Sequence, residues 1–516
     1  MLQKTHDFCK AFVSKLSTWL KDKRSKAAFI TTGVCSIFAY LYYLNNLIHN
    51  NDMISCTPKG VGESIRSGRW GLYLLSEAVE KHWGGHFNLP AFNVLLALVI
   101  IGFTTALLIR VLDIRRIGLC VCISAITVTI PAFATVMFFA YNVQYYALSI
   151  FFMVLAAYLL KKKGLLNFGI GALSACFSLG IYQAYLPFFA VLLLLLLISK
   201  CLQEESTPKE LILTGCKYLG AMVVSYILYS LILRLMLANL HLELSDYQSI
   251  NTMGALRLSG IKKAVVDVLR LPFCKNYYGF SSTPVIRFAI TISFLCIGFA
   301  VLGLKNIGLP KFFLLLGFLS MLLVAVNSTH ILSADSVLYT RMTLGLIGIF
   351  YLPIVLLEKI SFRKTALRGI LLFILIPTLL LCSANYAWQS NGNYLSVQYG
   401  NLKAENYYVT MFTRIRSAEG YNDDLPIVYV GKTISDKALH DNWNQPPFKY
   451  TAIMGAKAQL NQYSRNNFII NYLGYSWRSI TEAEAEKYED LISDMACYPD
   501  DGSIVATEDL VIIRLE

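Results

Sequence analysis

One acid and a few cations stand where they could act on a phosphate carried by a lipid. Asn50-Asn51-Asp52 follows directly on an apolar run that ends at His49, which places the Asp52 carboxylate at a membrane helix end, level with lipid headgroups. Moving a sugar from a lipid phosphate to a hydroxyl needs a base for the acceptor's proton. It also needs fixed cations to stabilise the departing phosphate. Asp52 fits the first role. Arg66 and Arg69, spaced i and i+3 on one helical face, fit the second as bidentate phosphate partners. Arg341, at the start of a later apolar run, is a third cation on the same side. Trp70, Tyr141, Gln144, Tyr182 and Gln183 lie in the polar joins around these positions and are candidate substrate contacts. Plainer roles stay open for all of them: a solvated loop acid, headgroup-anchoring arginines, an aromatic belt of tyrosines. Glu63, Glu77 and Glu80 compete with Asp52 as base, although their spacing suits a solvated helix face. Lys262 and Lys263 are further phosphate candidates or interface anchors.

The elements that must position these residues are membrane helices. Of 516 residues 56% are apolar and only 15% charged, with a mean hydropathy of +0.54. Soluble domains run near 45–50% apolar and about 25% charged, so a soluble enzyme is excluded. The 31 Tyr and 30 Phe exclude a chain that cannot collapse. A helix needs about 20 apolar residues to cross a bilayer. Eleven runs qualify as candidates: Ala27–His49, Ala91–Ile109, Ile117–Val136, Tyr145–Leu160, Leu165–Gly180, Tyr185–Ser199, Tyr218–Ala238, Pro284–Leu304, Phe312–Ser328, Met342–Leu357 and Gly369–Trp388. The pair around Gly180–Tyr185 also reads as one bent segment. The fold class is therefore an all-α polytopic membrane protein.

Lysine and arginine set the orientation. The stretches before Ala27, at Arg110–Arg116, Lys161–Lys163, Lys200–Lys217, Lys305–Lys311 and Lys359–Arg368 hold 7, 3, 3, 3, 2 and 4 of them. The short joins near Tyr141 and Ile181 hold none, and the one before Met342 holds only Arg341. Eleven crossings with a cytoplasmic N-terminus fit that alternation and put everything after Trp388 outside. Residues 1–26, with Phe8, Phe12, Val13, Leu16 and Leu20 at helical spacing among lysines, read as an amphipathic helix on the inner surface. The lead is too long and polar for a removable signal.

Residues 27–388 form the membrane domain, with large outward loops at 50–90 and 239–283. In the first, Ile65, Leu72, Leu75, Val79 and Trp83 repeat helically; in the second, Leu256, Ile261, Val265, Val268 and Leu269 do. From Gln389 onward 11 basic residues face 17 acidic ones, against 34 and 15 before it. The segment 389–516 is thus expected to be a separate acidic α/β domain on the outer side. Strand patterns at Ile427–Val430 and Leu510–Ile513 frame a helix over Thr481–Met495. Tyr472, Tyr475 and Trp477 could stack on sugars, although packing within a small domain suits them better.

Most of the 12 cysteines lie in apolar runs, where they act as small apolar residues. Cys56, Cys274 and Cys497 would face an oxidising side, without a spacing that demands a disulfide. No Cys/His cluster has metal-ligand spacing, so no cofactor is identified and nothing supports a divalent ion. The basic residues are scattered between apolar runs, which excludes nucleic acid as a partner. The spans are almost free of charge apart from Arg234, whereas transport paths are usually lined by ionisable groups. Chemistry at the outer mouth fits better.

Three motifs carry a resemblance: Asp52 followed by Gly68-Arg69-Trp70; Ser178-Leu179-Gly180-Ile181-Tyr182-Gln183-Ala184-Tyr185; and Met495 to Ile504, with Tyr498-Pro499 before Gly502-Ser503-Ile504. In that order they resemble the phage-type, serotype-converting O-antigen glucosyltransferases, the glucosyltransferase II family. Many relatives carry two adjacent acids in the first loop, where this chain has Asp52 between Asn51 and Met53. The resemblance implies a GT-C-like membrane glycosyltransferase of the bacterial inner membrane. It would use a polyprenyl-phosphate-linked sugar, usually undecaprenyl-phosphate glucose, and modify the O-antigen polysaccharide of lipopolysaccharide on the periplasmic side with inversion. A lipid-linked sugar flippase and an O-antigen polymerase are the alternatives. An O-acyltransferase would need a base such as His near its donor, and none of the 7 His lies mid-span.

Overall fold

The computed structural model describes residues 19, 21–50, 52–53, 65–84, 89–245, 259–278, 280–305, 307–332, 337–431, 460, 462–475 and 478–515. Each of the eleven apolar runs is helical over most of its length. The helices in chain order are α1 (Lys23–Asn45), α2 (Trp70–Trp83), α3 (Pro90–Val111), α4 (Ile117–Thr129), α5 (Pro131–Val136), α6 (Val143–Lys161), α7 (Leu165–Ile181), α8 (Leu186–Cys201), α9 (Pro208–Asn239), α10 (Ser259–Arg270), α11 (Pro284–Leu302), α12 (Leu309–Ala325), α13 (Thr329–Leu332), α14 (Gly348–Lys359) and α15 (Thr365–Arg416). Proline in the first turn starts α3, α5, α8, α9, α11 and α12, where a missing N–H costs nothing.

Eight spans among the described residues are long and apolar enough to cross a membrane; α7 and α12, at 17 residues each, are shorter. The expected run Met342–Leu357 is not one rod. It makes two 3-10 turns, Thr340–Met342 and Leu344–Ile347, before α14 begins. Gly345 explains the bend, because its Cα lies against the Val326 carbonyl, where a Cβ would stand 2.6 Å from the oxygen. At Gly180–Tyr185 the chain divides: Tyr182 is extended between α7 and the turn that opens the next span.

Inside the bundle, hydroxyls pair across helices, as polar groups in an apolar medium must. Thr32 meets Thr105 at 3.1 Å, Ser149 meets Ser178 at 2.7 Å, Thr127 meets Tyr351 at 2.6 Å and Thr129 meets Ser383 at 2.7 Å. The lysine-rich loops lie together at one end. Asp22 there takes Arg24 at 2.9 Å and Arg110 at 3.1 Å, and the hydrogen bond from Arg24 holds its carboxyl below the usual range. Lys359 pairs with Asp113 at 2.8 Å and Arg116 with Glu358 at 3.0 Å. Burial pushes the Asp113 carboxyl up, but Lys359 and Arg115 outweigh it and leave it lowered.

Three expectations change in detail. The helix expected from Ile65 to Trp83 is a 3-10 turn (Ile65–Ser67) and then α2, separated by Gly68 in the left-handed region at φ +76°. The second loop helix starts at Ser259, so Leu256 lies outside the described residues, as do Glu63, Cys56 and Trp477. α15 crosses position 389 unbroken, because Tyr394, Val397, Asn401, Ala404 and Tyr408 continue a buried face beyond the apolar run.

The C-terminal segment is a small α/β unit built on the far half of α15. Besides the hairpin β1 (Asn276–Tyr277) and β2 (Phe280–Ser281), the strands are β3 (Ile427–Val430), β4 (Ser479–Ile480), β5 (Ile504–Ala506) and β6 (Val511–Arg514). Their order is β4-β3-β6-β5, parallel except for the β5–β6 pair. The helix expected at Thr481–Met495 is a 3-10 segment, Glu482–Tyr488, followed by a short helix, Glu489–Asp494. Tyr408, Met411, Phe412 and Ile415 of α15 pack against Ile427, Val511 and Ile513.

Candidate functional site

Asp52 stands half-buried on a short turn that the fold holds from three sides. The Met53 backbone N–H donates to Asn50 Oδ1 at 2.6 Å, and Asn50 Nδ2 donates to the Phe138 carbonyl at 2.6 Å. The Tyr43 hydroxyl of α1 reaches Met53 Sδ at 3.9 Å, and Asn401 Nδ2 of α15 donates to the His49 carbonyl at 3.1 Å. Below the turn the rings of Tyr43, Phe138 and Tyr394 pack at 4.7–6.0 Å. Burial pulls the His49 imidazole down to about 4, and Tyr472 of the C-terminal unit meets its ring edge-on at 5.0 Å. A carboxylate so placed is carried by rigid neighbours rather than by a loose loop.

Arg341 rests on the same support. Its guanidinium lies 4.9 Å from the Phe139 ring centre and 4.4 Å from that of Tyr339, as cations over aromatic faces do. Asp52 and Arg341 are therefore anchored on adjacent residues, Phe138 and Phe139.

The two internal motifs dock on each other. Trp70 is buried, with its indole against Gly180, where a Cβ would stand 2.6 Å from the ring, and edge-on to Phe177 at 5.9 Å. Gln183 Nε2 donates to the Ser67 carbonyl at 2.9 Å and meets the Tyr229 hydroxyl at 2.9 Å, which donates to the Gly68 carbonyl at 3.0 Å. A side chain at Gly68 would collide with both. Arg66 and Arg69 consequently do not share one helical face. Gly68 turns the chain between them, leaving Arg66 exposed with Nε 3.3 Å from the Glu243 carbonyl and Arg69 over the Tyr182 ring at 5.3 Å. Tyr182 stacks obliquely on Tyr146 at 4.7 Å and meets Tyr185 edge-on at 4.9 Å. Tyr141 meets Phe139 at 6.5 Å and takes the Gln144 amide on its carbonyl at 3.3 Å. Residues 138–146 thus run from the Asp52 support to Tyr146, whose partner Tyr182 carries Arg69. Glu77, the competing acid, pairs with Lys81 at 3.8 Å along α2.

Four buried polar atoms gather on these segments without a hydrogen-bond partner: Trp70 Nε1, Asn142 Oδ1, Gln144 Oε1 and the Tyr185 hydroxyl. Such atoms are costly in a finished core and mark places that a polar ligand completes. Between α1, α4 and α15 an apolar cleft of about 800 Å³ runs past Phe38, Leu41, Leu380 and Ala387 to Asn45, Asn46 and Asn391, a few residues short of Asp52. No group of three His, Cys, Asp or Glu among the described residues could hold a metal ion.

A further constellation was not singled out in the sequence. Tyr278, at φ +49° in the turn of the β1–β2 hairpin, points its hydroxyl at Asp267 Oδ2 (3.2 Å), His330 Nε2 (3.2 Å) and Asn327 Nδ2 (2.6 Å). The Tyr278-Gly279 pair between strand-forming residues was the signal available, since two-residue hairpins favour positive φ. The third motif lies elsewhere: Tyr498 meets Tyr407 at 5.5 Å, and Arg414 of α15 reaches Asp501 at 2.9 Å.

No curated protein and no solved structure matches the chain. Residues 41–357, which include the Asp52 turn, the docked motifs and Arg341, match the family model described as glucosyl transferase GtrII, and the chain belongs to that family.

Proposed function

We propose that this multi-pass membrane glucosyltransferase takes its sugar from a polyprenyl phosphate and places it, with inversion, on a hydroxyl of lipopolysaccharide O-antigen at the periplasmic face of the inner membrane. The donor's isoprenoid chain lies in the cleft between α1, α4 and α15, whose amide-lined end holds Asn45 and Asn46 at the close of α1, shortly before Asp52 in the chain. Its phosphate sits among Arg341, Arg69 and Arg66, whose guanidinium groups take up the negative charge as the glycosidic C–O bond breaks. The acceptor oxygen attacks the anomeric carbon from the opposite face, and its proton passes to Asp52. Tyr141, Gln144 and Tyr182 contact the sugars, while Trp70 and Gln183 hold the two docked motifs in register.

The observation that carries this reading is the set of four partnerless buried atoms on Trp70, Asn142, Gln144 and Tyr185, which lie on the two docked motifs and on the segment that follows Phe138. A hydroxyl-rich ligand supplies the donors and acceptors they lack. Asp52→Asn keeps the shape and removes the base. Transfer of labelled glucose in membranes should fall by roughly 100-fold or more at unchanged protein level. Activity surviving that change assigns the base elsewhere, and movement of labelled lipid without sugar transfer would favour a flippase instead.

A further inference from the structure

Tyr278 holds a backbone conformation that non-glycine residues seldom adopt, and the reason lies in what it joins. Its ring ends in a polar knot. The hydroxyl meets Asp267 of α10, His330 of α13 and Asn327 at the end of α12, and His330 Nε2 also lies 3.2 Å from Asp267 Oδ2. α10 lies hard on this knot, since Gly260 touches the His330 carbonyl and leaves no room for a Cβ. His330 is buried. Burial and nearby Lys263 hold its imidazole below the usual range, and Asp267 acts in the other direction. With Asp267 and Tyr278 both at Nε2, the knot is arranged to fix the ring of Tyr278 rather than to take a proton from a substrate.

The backbone of the same residue faces the site. The Thr340 hydroxyl, on a side chain that is 1% exposed, donates to the Tyr278 carbonyl. Thr340 opens the 3-10 turn that carries Arg341, and the turn is closed by Met342 N–H to the Tyr339 carbonyl at 2.8 Å and by the Thr343 hydroxyl to the Thr340 carbonyl at 2.7 Å. One residue thus links a buried knot, through its ring, to the Arg341 turn, through its carbonyl.

We infer that Tyr278, clamped by Asp267, His330 and Asn327, is the positioning residue that sets Arg341 for the donor phosphate, acting through the Thr340 hydroxyl. The inference rests on the phosphate role proposed for Arg341. Thr340→Val is nearly isosteric and removes only the hydrogen bond, whereas Thr340→Ser restores it. In membranes assayed with a labelled polyprenyl-phosphate sugar, Thr340→Val should raise the donor KM roughly fivefold, the worth of one neutral hydrogen bond. The acceptor KM and kcat should stay unchanged, and Thr340→Ser should return the donor KM to normal. Tyr278→Phe and Asp267→Asn, which loosen the knot, should shift the donor KM in the same direction. In an Arg341→Gln background none of these changes should add to the donor defect.

An unchanged donor KM in Thr340→Val, a Thr340→Ser variant as impaired as Thr340→Val, or equal loss for donor and acceptor would each overturn the inference. If Thr340→Val does not reach the membrane, Asp267→Asn and Tyr278→Phe decide by the same split. An Arg341→Gln variant with normal donor KM refutes the phosphate role itself. A donor defect in Arg341→Gln that the Thr340 and Tyr278 variants fail to share refutes only the positioning by Tyr278.

Discussion

At one end of the bundle ion pairs tie the chain together, and at the other two arginines sit on aromatic faces. At the end that gathers the lysine-rich loops, cations meet carboxylates or backbone carbonyls: Arg110 and Arg24 on Asp22, Arg116 on Glu358, Lys359 on Asp113, and Lys217 on the Leu160 carbonyl at 2.6 Å. Arg110 there also lies over Trp19 and Lys162 over Tyr158, while at the other end Arg341 lies over Phe139 and Tyr339, and Arg69 over Tyr182. An ion pair holds a cation through an opposite charge, whereas an aromatic face holds it through the ring's quadrupole. The ion pairs tie the lysine-rich loops together, and the aromatic faces fix where Arg341 and Arg69 sit.

Substitutions at each end sharpen that contrast. The largest effect is expected at the aromatic end, where Arg69→Glu should raise the donor KM by roughly tenfold or more, with little change for the acceptor. Steady-state transfer with each substrate varied in turn checks it, and a defect confined to acceptor would remove Arg69 from the phosphate role. Next comes His49, beneath the Asp52 turn. Its pKa is lowered from the ordinary 6.5 to about 4, so the folded protein binds fewer protons than the unfolded chain between those values. The contribution is present above pH 6.5 and is lost as the pH falls towards 4, amounting to about 3 kcal/mol. Thermal unfolding at pH 7 and pH 4.5 should show a smaller acid penalty in His49→Phe than in the parent. The smallest effect belongs to the ion-paired end. Glu358→Gln should lower stability by about 1 kcal/mol, because Arg116 is partly solvated, and should leave both KM values alone. A changed donor KM there would erase the distinction between the ends.

What the sequence made legible follows from which forces act locally. Hydropathy placed the eleven helical segments, because burial in lipid acts on each apolar run by itself. It also set Asp52 just past the end of the first apolar run, and the two short joins it left between spans meet where Tyr146 stacks on Tyr182. The break at Gly68 was not legible, since it depends on Gln183 and Tyr229 arriving from distant helices to fill the space beside it. The same holds for Tyr278, whose conformation is maintained by Asp267, Asn327 and His330 from three other segments. At Trp388 the apolar run ends but the helix does not, because tyrosine and asparagine take over the inward face and fall below a hydropathy reading. Tyr394 shows how: its hydroxyl is satisfied by the Ala134 carbonyl at 2.9 Å while its ring packs on Tyr43 and Phe138.

α15 spans 52 residues, a rod about 78 Å long at 1.5 Å per residue. One half is embedded among the membrane helices, the other forms the floor of the C-terminal sheet, and Asn401 between them grips the His49 carbonyl. A rod gripped at its waist works as a lever. A load on the sheet is therefore carried, through Asn401, to the turn that holds Asp52.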